Sequence, residues 1–349
     1  MEEIKEGMSM EGKTELTEKE VAREARKHFS SLGLMFFLGT IVIYVVQMVP
    51  MALLEWLRPE WMQNGNLALM AGILPMYLVG MPVLILLVKR IPAESLERRS
   101  MNAGHFTLSA IICFALVYLT NGVGNIITLL IGILKGSAVQ NQVLDVTSSV
   151  SMWVILLYMV ICAPIMEEYI FRKLIVDRTV RYGQAVAVLM SGLMFGLFHG
   201  NLNQFIYAFV LGVFLAFLYV KTGNLKITIA LHMLINFMGG AVSTWLMRLV
   251  DLDEYIWLAG ENNAEAQAAF VRENLLGLLV YLCFVFFLIG VTLAGLTLLI
   301  VFLAKRRFTF QKGSVVIPRG KRFSAVIVNA GMIVYSVFFT AMIIIQLFL

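Results

Sequence analysis

Residues 275–304 read LLGLLVYLCFVFFLIGVTLAGLTLLIVFLA, a run in which no side chain carries a charge. A helix needs roughly 20 consecutive apolar residues to cross the hydrocarbon core of a bilayer. A helix that is apolar on every side is stable only inside a large protein core or among lipid tails. This stretch therefore predicts a membrane-spanning helix.

The rest of the chain has the same character. Of its 349 residues, 60% are hydrophobic and 14% are charged, against roughly 25% charged residues in soluble domains. We therefore predict an all-α fold, a polytopic transmembrane helical bundle of about nine spans, within a range of eight to ten. The third span contains Asn121-Gly122-Val123-Gly124-Asn125, so it could kink or form two pieces. The predicted spans are 32–54, 67–88, 106–134, 150–175, 184–200, 203–220, 226–248, 275–304 and 324–349.

The basic residues predict an orientation. Cytoplasmic loops of membrane proteins carry an excess of Lys and Arg, and the bases of this chain concentrate in every second loop if the N-terminus is cytoplasmic. The outer loop that follows residue 250 is acidic instead. We predict a multi-pass protein of the cell membrane, in a bacterium the plasma membrane, that contacts the lipid bilayer and no nucleic acid. The bases of the predicted inner loops are Lys89, Arg90, Arg98, Arg99, Arg172, Lys173, Arg178, Arg181, Lys221, Lys226, Lys305, Arg306, Arg307, Lys312, Arg319, Lys321 and Arg322.

The chain divides into two predicted parts. Residues 1–30 form a cytoplasmic amphipathic lead-in, in which Thr17 and Glu20 have the spacing of a capping box that begins a helix. Residues 31–349 form the multi-span membrane domain. Its chemically dense core lies at 150–240, because ionisable and amide side chains occur there within apolar stretches.

Two adjacent acids occur within the fourth span. Glu168 and Arg172 are four residues apart with the acid first, which is the favourable order for an ion pair on a helix. Glu167 is rotated by about 100° from Glu168, so it points elsewhere and is left free for chemistry. Ionisable groups at membrane depth cost ~2.5–3.5 kcal/mol on insertion scales and usually serve a function. The alternative interpretation is a cluster of charges at the cytoplasmic end of the helix.

Two of the four histidines also lie within apolar helices. His199 ends the sequence Phe195-Gly196-Leu197-Phe198-His199 in the fifth span, and His232 shares one helix face with Asn236 in the seventh span. A lone histidine in a membrane helix is more often a hydrogen-bonding residue between helices than a ligand or a base. Two histidines together with a spare carboxylate favour a functional site.

Helix lengths bring these residues into one predicted layer. A hairpin that turns at Gly183 gives equal path lengths to the fourth and fifth spans, so Glu167 and His199 come level with each other. His232 lies nine residues beyond Gly223, ~13 Å along a helix, and reaches the same depth. We expect this layer nearer the cytoplasmic side than the outer side, with a substrate entering from the cytoplasmic leaflet.

This set of residues suits hydrolysis of a peptide bond. A carboxylate and a neutral imidazole can together deprotonate a water, while a second imidazole and an amide donate hydrogen bonds to the oxyanion that forms. No metal is favoured, because the HExxH arrangement is missing. The alternative is a catalytic zinc ion held by Glu167, His199 and His232. The candidate nucleophiles, none of which has a base partner in the sequence, are Ser191, Thr228 and Cys162.

Three motifs in this region resemble those of the CPBP intramembrane proteases, in the same order and at similar spacing. That family includes the type II CAAX prenyl endopeptidases and the Abi proteins of bacteria, which act in bacteriocin processing or self-immunity. The resemblance covers roughly residues 150–240, and one departure is Lys173, where many members have glycine. The motifs are EExxxR, with Glu167, Glu168 and Arg172; FxxxH, with Phe195 and His199; and HxxxN, with His232 and Asn236.

The resemblance implies a role for each matched residue. It implies that Glu167 is the general base and works with His199, and that His232 and Asn236 stabilise the oxyanion. It implies a structural, supporting role in the site for Glu168, Arg172 and Phe195.

The predicted function is an intramembrane endopeptidase, with a peptide or membrane-associated protein as its substrate. The cleavage is either of the CAAX type or the processing of a bacteriocin or leader peptide. A non-catalytic immunity or scaffold protein of the same fold is one alternative. A transporter is another, although no inverted repeat is visible and the polar groups cluster in one layer instead of along a path.

Overall fold

The computed structural model describes residues 17–261 and 263–348. Within these residues every regular element is a helix, and eight helices are long and apolar enough to cross a membrane. A ninth apolar helix has 15 residues and corresponds to the predicted fifth span. The predicted all-α bundle of eight to ten spans is confirmed. The nine apolar helices are α1 Glu18–Leu57, α2 Gly65–Lys89, α3 Ala103–Lys135, α4 Met152–Tyr182, α5 Gln184–Phe198, α6 Leu202–Thr222, α7 Leu225–Val250, α8 Leu275–Ala304 and α9 Ala330–Phe348.

Helix α1 begins at the predicted capping box. The Thr17 amide donates to Glu20 Oε2 at 2.9 Å, and the Glu20 amide donates to Thr17 Oγ1 at 3.4 Å. From Glu18 the helix runs unbroken to Leu57, so the second half of the predicted lead-in is continuous with the first span. Residues 1–16 of that lead-in lie outside the described residues.

Helix α3 is one continuous helix from Ala103 to Lys135. The polar and glycine residues at 121–125 therefore do not divide the third span. Short helices occupy the connections between the long ones. They are Pro59–Met62, Gln142–Ser149, Leu252–Gly260, Ala264–Glu273, Arg319–Lys321 and Arg322–Val326.

Three of the long helices contain π-helical stretches. Helix α4 has two, Ile155–Cys162 and Tyr169–Val176, which leave only Ala163–Glu168 as α-helix between them. Helix α7 has one at Phe237–Val242, and α2 has one at Met76–Gly80. Such wide turns are rare and occur frequently at functional sites. Helices α4 and α7 are also the ones that carry the predicted acids, His232 and Asn236.

The connections gather at the two ends of the bundle. We call one end the basic face, because the predicted inner-loop bases other than Arg172 and Lys173 lie on it, and the other end the distal face. Arg172 and Lys173 were predicted in an inner loop but lie within α4. Hydrogen bonds tie the basic face together, for example from the Arg99 amide to the Thr222 carbonyl oxygen at 2.6 Å and from the Gln184 amide to the Gln311 carbonyl oxygen at 3.1 Å. The segments of the basic face are 89–102, 176–184, 221–226 and 305–322. Those of the distal face are 58–66, 136–151, 199–204 and 251–274.

Hydrogen bonds also tie the distal face together. Gln346 at the end of α9 donates through Nε2 to the Gln140 carbonyl oxygen at 2.8 Å. The Ser151 amide donates to Asn66 Oδ1 at 2.8 Å, and Arg248 donates to the Val150 carbonyl oxygen at 2.6 Å. The segment 136–151 is therefore anchored to α2, α7 and α9.

Helix α5 packs closely against α6 through glycines. A Cβ atom on Gly196 would lie 2.8 Å from Phe209 Cβ, and one on Gly212 would lie 2.9 Å from Phe195 Cδ1. These distances are shorter than real carbon contacts, so only glycine fits there. The contact holds α5 against α6 near the end of the helix that carries His199.

Candidate active site

The Glu168–Arg172 pair on α4 is fully buried. Both side chains are 0% exposed, and Arg172 Nε lies 3.0 Å from Glu168 Oε2. This contact is an ion pair by distance, although the N–H is not aligned for a hydrogen bond. The guanidinium carbon of Arg172 also lies 4.6 Å from the centroid of the Phe195 ring, whose negative face attracts the cation. The predicted pair is therefore present, and it neutralises Glu168 inside the bundle.

The His232 imidazole on α7 lies between the two acids of α4. Its Nδ1 is 2.9 Å from Glu168 Oε1, and its Nε2 is 3.7 Å from Glu167 Oε2. Because an ionised carboxylate can only accept, Nδ1 carries a proton and donates it to Glu168. The ring is thereby fixed in orientation with Nε2 directed to the side of Glu167.

Phe195 on α5 holds both imidazoles. Its ring makes edge contacts with His199 at a centroid distance of 4.9 Å and with His232 at 5.8 Å. Its carbonyl oxygen lies 2.9 Å from His199 Nδ1. A carbonyl oxygen accepts, so His199 donates through Nδ1 and its Nε2 is left as the free ring nitrogen.

Asn236 reaches across from α7 to α4. Its Nδ2 donates to the Met159 carbonyl oxygen at 2.8 Å. Met159 belongs to the π-helical stretch Ile155–Cys162. One of the two amide N–H groups of Asn236 is therefore used within the fold, and the other is available to a ligand.

The serine and threonine hydroxyls considered as nucleophiles are engaged elsewhere. Ser191 donates to the Phe171 carbonyl oxygen at 2.8 Å, and Thr228 donates to the Leu225 carbonyl oxygen at 3.1 Å. Both side chains are buried. Neither hydroxyl lines the cavity described below, and Cys162 does not line it either.

A cavity of about 470 Å³ joins the predicted catalytic residues. Glu167, His199, His232 and Asn236 all line it, together with Phe195. Glu167 is 22% exposed, in contrast to the fully buried Glu168. The structure thus brings together residues from α4, α5 and α7 that are separated by up to 69 positions in the sequence.

The cavity extends to the distal face. None of its lining residues belongs to the described segments of the basic face, whereas Asn141, Gln142, Asn203 and Gln204 belong to the distal face. His199 follows the last residue of α5, ~22 Å of helix from the basic face. His232 and Asn236, in contrast, lie in the half of α7 (Leu225–Val250) that is nearer the basic face. The expectation that the layer lies nearer the basic end than the distal end stays a prediction.

Several further lining residues were not predicted as site residues. Tyr118 lies on α3, Tyr158 on α4 and Tyr207 on α6, while Asn141 and Gln142 lie at the start of the short helix Gln142–Ser149. Gln204 Nε2 donates to the Tyr207 hydroxyl at 3.1 Å. At the start of α6, the polar residues Asn203, Gln204 and Tyr207 are spaced three or four positions apart along the helix. This spacing is the sequence signal for the part of the group that lies on α6.

The two imidazoles have the arrangement that metal ligands often show. In each ring Nδ1 is held by an acceptor and Nε2 is free, as in histidines that bind metal through Nε2. However, among residues 17–261 and 263–348 no three His, Cys, Asp or Glu side chains are close enough together to hold a metal ion. In the present arrangement the set Glu167, His199 and His232 does not fit a zinc site.

Comparison with known proteins agrees with the motifs. Residues 149–238 match the family described as type II CAAX prenyl endopeptidase Rce1-like. The "Putative membrane peptidase YdiL" of Bacillus subtilis (strain 168) is 30% identical over 157 residues, which cover 44% of this chain and 64% of that protein. The matched region is thus less than two thirds of the relative's length. No solved structure matches.

The matched segment runs from the start of α4 to the π-helical stretch of α7. It contains every residue of the three motifs. Five of these seven residues line one cavity, and the other two, Glu168 and Arg172, form the buried pair beside it. The resemblance inferred from the motifs is confirmed: residues 149–238 are similar to the family described as type II CAAX prenyl endopeptidase Rce1-like.

Proposed function

We propose that the chain is an intramembrane endopeptidase that hydrolyses a peptide bond with a water activated by Glu167 and His199. The observation that carries the proposal is the difference between the two adjacent acids. Glu168 is held by Arg172 and His232, while Glu167 is the one acidic residue among the described residues that line the cavity. A carboxylate beside two imidazoles is suited to take a proton from water.

In the proposed first step, Glu167 takes a proton as the water oxygen attacks the carbonyl carbon of the substrate. His199 donates through Nδ1 to the Phe195 carbonyl oxygen, so its Nε2 accepts the second hydrogen of the water and orients it. The proton then passes from Glu167 to the amide nitrogen as the C–N bond breaks. The products are a carboxylic acid, which then loses its proton to solvent, and an amine, and no covalent intermediate with the protein forms.

His232 and Asn236 are the proposed donors to the oxyanion. Asn236 has one amide N–H left after its bond to Met159. His232 donates through Nδ1 to Glu168, so a contact with the oxyanion requires the doubly protonated ring, in which Nε2 is a second donor. Removing one such donor lowers kcat by about 10²–10³-fold in well-studied hydrolases.

Glu168, Arg172 and Phe195 are proposed as positioning residues. Glu168 fixes the ring of His232, Arg172 neutralises Glu168, and Phe195 separates the two imidazoles and accepts from His199. None of these three groups needs to touch the substrate in this mechanism.

We propose that the reaction does not depend on a metal. Support comes from the spacing of the potential ligands, since no three of them converge within the described residues. Cleavage by protein dialysed against a chelator, with its metal content measured by mass spectrometry, tests this point. Activity that vanishes with the metal and returns with added zinc would favour the zinc alternative.

The proposed substrate is a peptide or a membrane-associated protein, and the proposed location is the bacterial plasma membrane. The relative from Bacillus subtilis is described as a putative membrane peptidase, and the description of the matching family names a CAAX prenyl endopeptidase. Between these, we favour a bacteriocin or leader peptide, because bacteria do not normally make prenylated CAAX proteins.

A matched pair of glutamate variants tests the function. Wild-type protein, Glu167→Gln and the control Glu97→Gln are reconstituted in nanodiscs and incubated with a peptide library, and new termini are identified by mass spectrometry. Glu97 is on the basic face, with its side chain 76% exposed, so the control retains wild-type cleavage. Glu167→Gln is expected to lose at least 10²-fold in rate, as for other general bases.

Equal cleavage by wild type and Glu167→Gln would refute the proposed role of Glu167. An immunity phenotype that persists in cells carrying Glu167→Gln would instead favour the non-catalytic scaffold. Glu167→Gln should fold normally, because Glu167 Oε2 lies 3.7 Å from His232 Nε2, too far for a strong ion pair.

A further inference from the structure

The mouth of the cavity is formed by polar residues of the distal face. Asn141 and Gln142 come from the segment 136–151, and Asn203 and Gln204 come from the first turn of α6. Gln142 is exposed and Asn141 is half-buried. The Asn203 side chain donates through Nδ2 to the Gln140 carbonyl oxygen at 3.4 Å, which joins the two parts of the rim.

Toward the basic face, α4 and the neighbouring helices are closed by packing. Ile170, Phe171, Leu174, Ile175 and Val176 follow the two acids on α4, and each is at most 2% exposed. This region separates the floor of the cavity from the basic face by about two turns of helix.

Beyond that apolar region, polar contacts join α2, α4 and α6 at the basic face. The Tyr219 hydroxyl donates to Asp177 Oδ1 at 3.1 Å, and Lys173 Nζ lies 2.7 Å from Asp177 Oδ2. Arg178 donates through Nε to the Val88 carbonyl oxygen at 2.8 Å. These contacts lie between the basic face and the apolar residues that follow the two acids on α4.

The two faces differ in charge. The basic face contains the bases of the predicted inner loops except Arg172 and Lys173, while the distal face contains Asp251, Glu254, Glu261 and Glu265. Lys and Arg accumulate in the cytoplasmic loops of membrane proteins. The charge distribution therefore assigns the closed face to the cytoplasm and the open face to the opposite side of the membrane.

We propose that the active-site cavity receives its substrate from the non-cytoplasmic side of the membrane. This inference rests on the proposed peptidase function and specifies its substrate. The substrate is a polypeptide segment that has already crossed the membrane, either a secreted peptide or the outer juxtamembrane segment of a membrane protein.

The lining of the cavity further limits the substrate. Its rim contains four carboxamide side chains, a type of group that both donates and accepts hydrogen bonds, as the backbone of an extended peptide does. Asn141, Asn203 and Gln204 also hydrogen-bond within the protein, whereas Gln142 is exposed. No Lys or Arg is among the described lining residues, and Glu167 lies at the floor. A free C-terminal carboxylate would find no Lys or Arg to pair with there, which favours an internal segment of the chain.

Single cysteines test the side of access without reference to activity. The native Cys113, Cys162 and Cys283 are replaced by alanine, and one cysteine is introduced at Gln142, on the rim, or at Lys312, on the basic face. Each variant is treated with a membrane-impermeant maleimide, once in intact cells without an outer membrane barrier and once in inverted vesicles.

We expect Gln142→Cys to be labelled in intact cells and Lys312→Cys only in inverted vesicles. A third variant, Asn121→Cys, reports from α3 inside the cavity and is treated with a small charged methanethiosulfonate. It should react from the same side as Gln142→Cys. Labelling of Gln142→Cys only in inverted vesicles, or reaction of Asn121→Cys from the side of Lys312→Cys, would overturn the proposal.

Peptides test the substrate class. A library in two forms, with free and with amidated C-termini, is added to intact cells and to inverted vesicles that carry wild-type protein or Glu167→Gln. We expect Glu167-dependent products from intact cells, at equal rates for the two forms. Products confined to inverted vesicles, or to free-acid peptides, would refute the inference. Absence of Glu167-dependent products on both sides would refute the peptidase function, while the labelling would still decide the side of access.

Discussion

The buried Glu168–Arg172 pair allows stability and activity to be separated. Both side chains are 0% exposed and 3.0 Å apart. Removing one partner leaves the other charge buried without compensation, which costs about 3–5 kcal/mol, whereas replacing both by neutral groups of similar size is often neutral. We therefore expect Glu168→Gln and Arg172→Met each to lower the free energy of unfolding by about 3–5 kcal/mol.

The double variant Glu168→Gln/Arg172→Met should regain most of that stability. Glutamine keeps an oxygen that can accept from His232 Nδ1, and methionine fills the space against Phe195 that the guanidinium occupied. Activity should not recover, because the charge that favours a proton on the His232 ring has been removed. The double variant would then be a folded protein with a weakened oxyanion site.

The assay is equilibrium unfolding of wild type, both single variants and the double variant in bicelles, followed by a double-mutant cycle. The expected coupling energy is several kcal/mol, which is larger than the 0–1 kcal/mol of an exposed pair. Losses in the free energy of unfolding that simply add, or single variants within about 1 kcal/mol of wild type, would show that the buried pair does not stabilise the bundle.

Three further variants test other contacts of the site. Phe195→Leu keeps an apolar side chain and should lower the free energy of unfolding by no more than about 1.5 kcal/mol. It removes the ring between the imidazoles, so the steady-state cleavage rate should fall by more than the loss of stability in thermal unfolding explains. Gly196→Val places a Cβ atom 2.8 Å from Phe209 and should cost about 1–3 kcal/mol, while the control Gly122→Ala, with nothing within 4 Å of its Cβ, should leave unfolding unchanged. Asn236→Ala should lower kcat by about 10²-fold with a smaller change in KM, and a change confined to KM would contradict a role in the transition state.

The positions of the membrane helices and of the motif residues could be predicted from the sequence. Apolar runs of sufficient length place α1 to α9, and the spacing of Glu168 and Arg172 predicts their ion pair, since both follow from local helix geometry. The separate orientation of Glu167 follows from the same geometry. The predicted catalytic roles of the motif residues await the variants above.

The direction in which the cavity opens could not be predicted in this way. It depends on how the segment 136–151 is anchored by Gln346 and Arg248, two residues that are far from it in the sequence. The contact between Asn236 and Met159 likewise depends on a π-helical stretch that has no clear signal in the residues themselves. Local periodicity specifies which side of a helix is polar, but not which neighbour that side meets.

The π-helical stretches of α4 and α7 have a consequence for how the chain length can vary. A π turn holds more residues than an α turn, so deletion of one residue within Ile155–Cys162 or Phe237–Val242 can be absorbed by tightening that turn to α geometry. The side chains before and after the stretch then point in the same directions as before. In a regular helix such as α6, the same deletion turns every later residue by about 100°. The helices that carry the acids and Asn236 are therefore the part of the bundle where related chains can differ in length and still present the same side chains to the cavity.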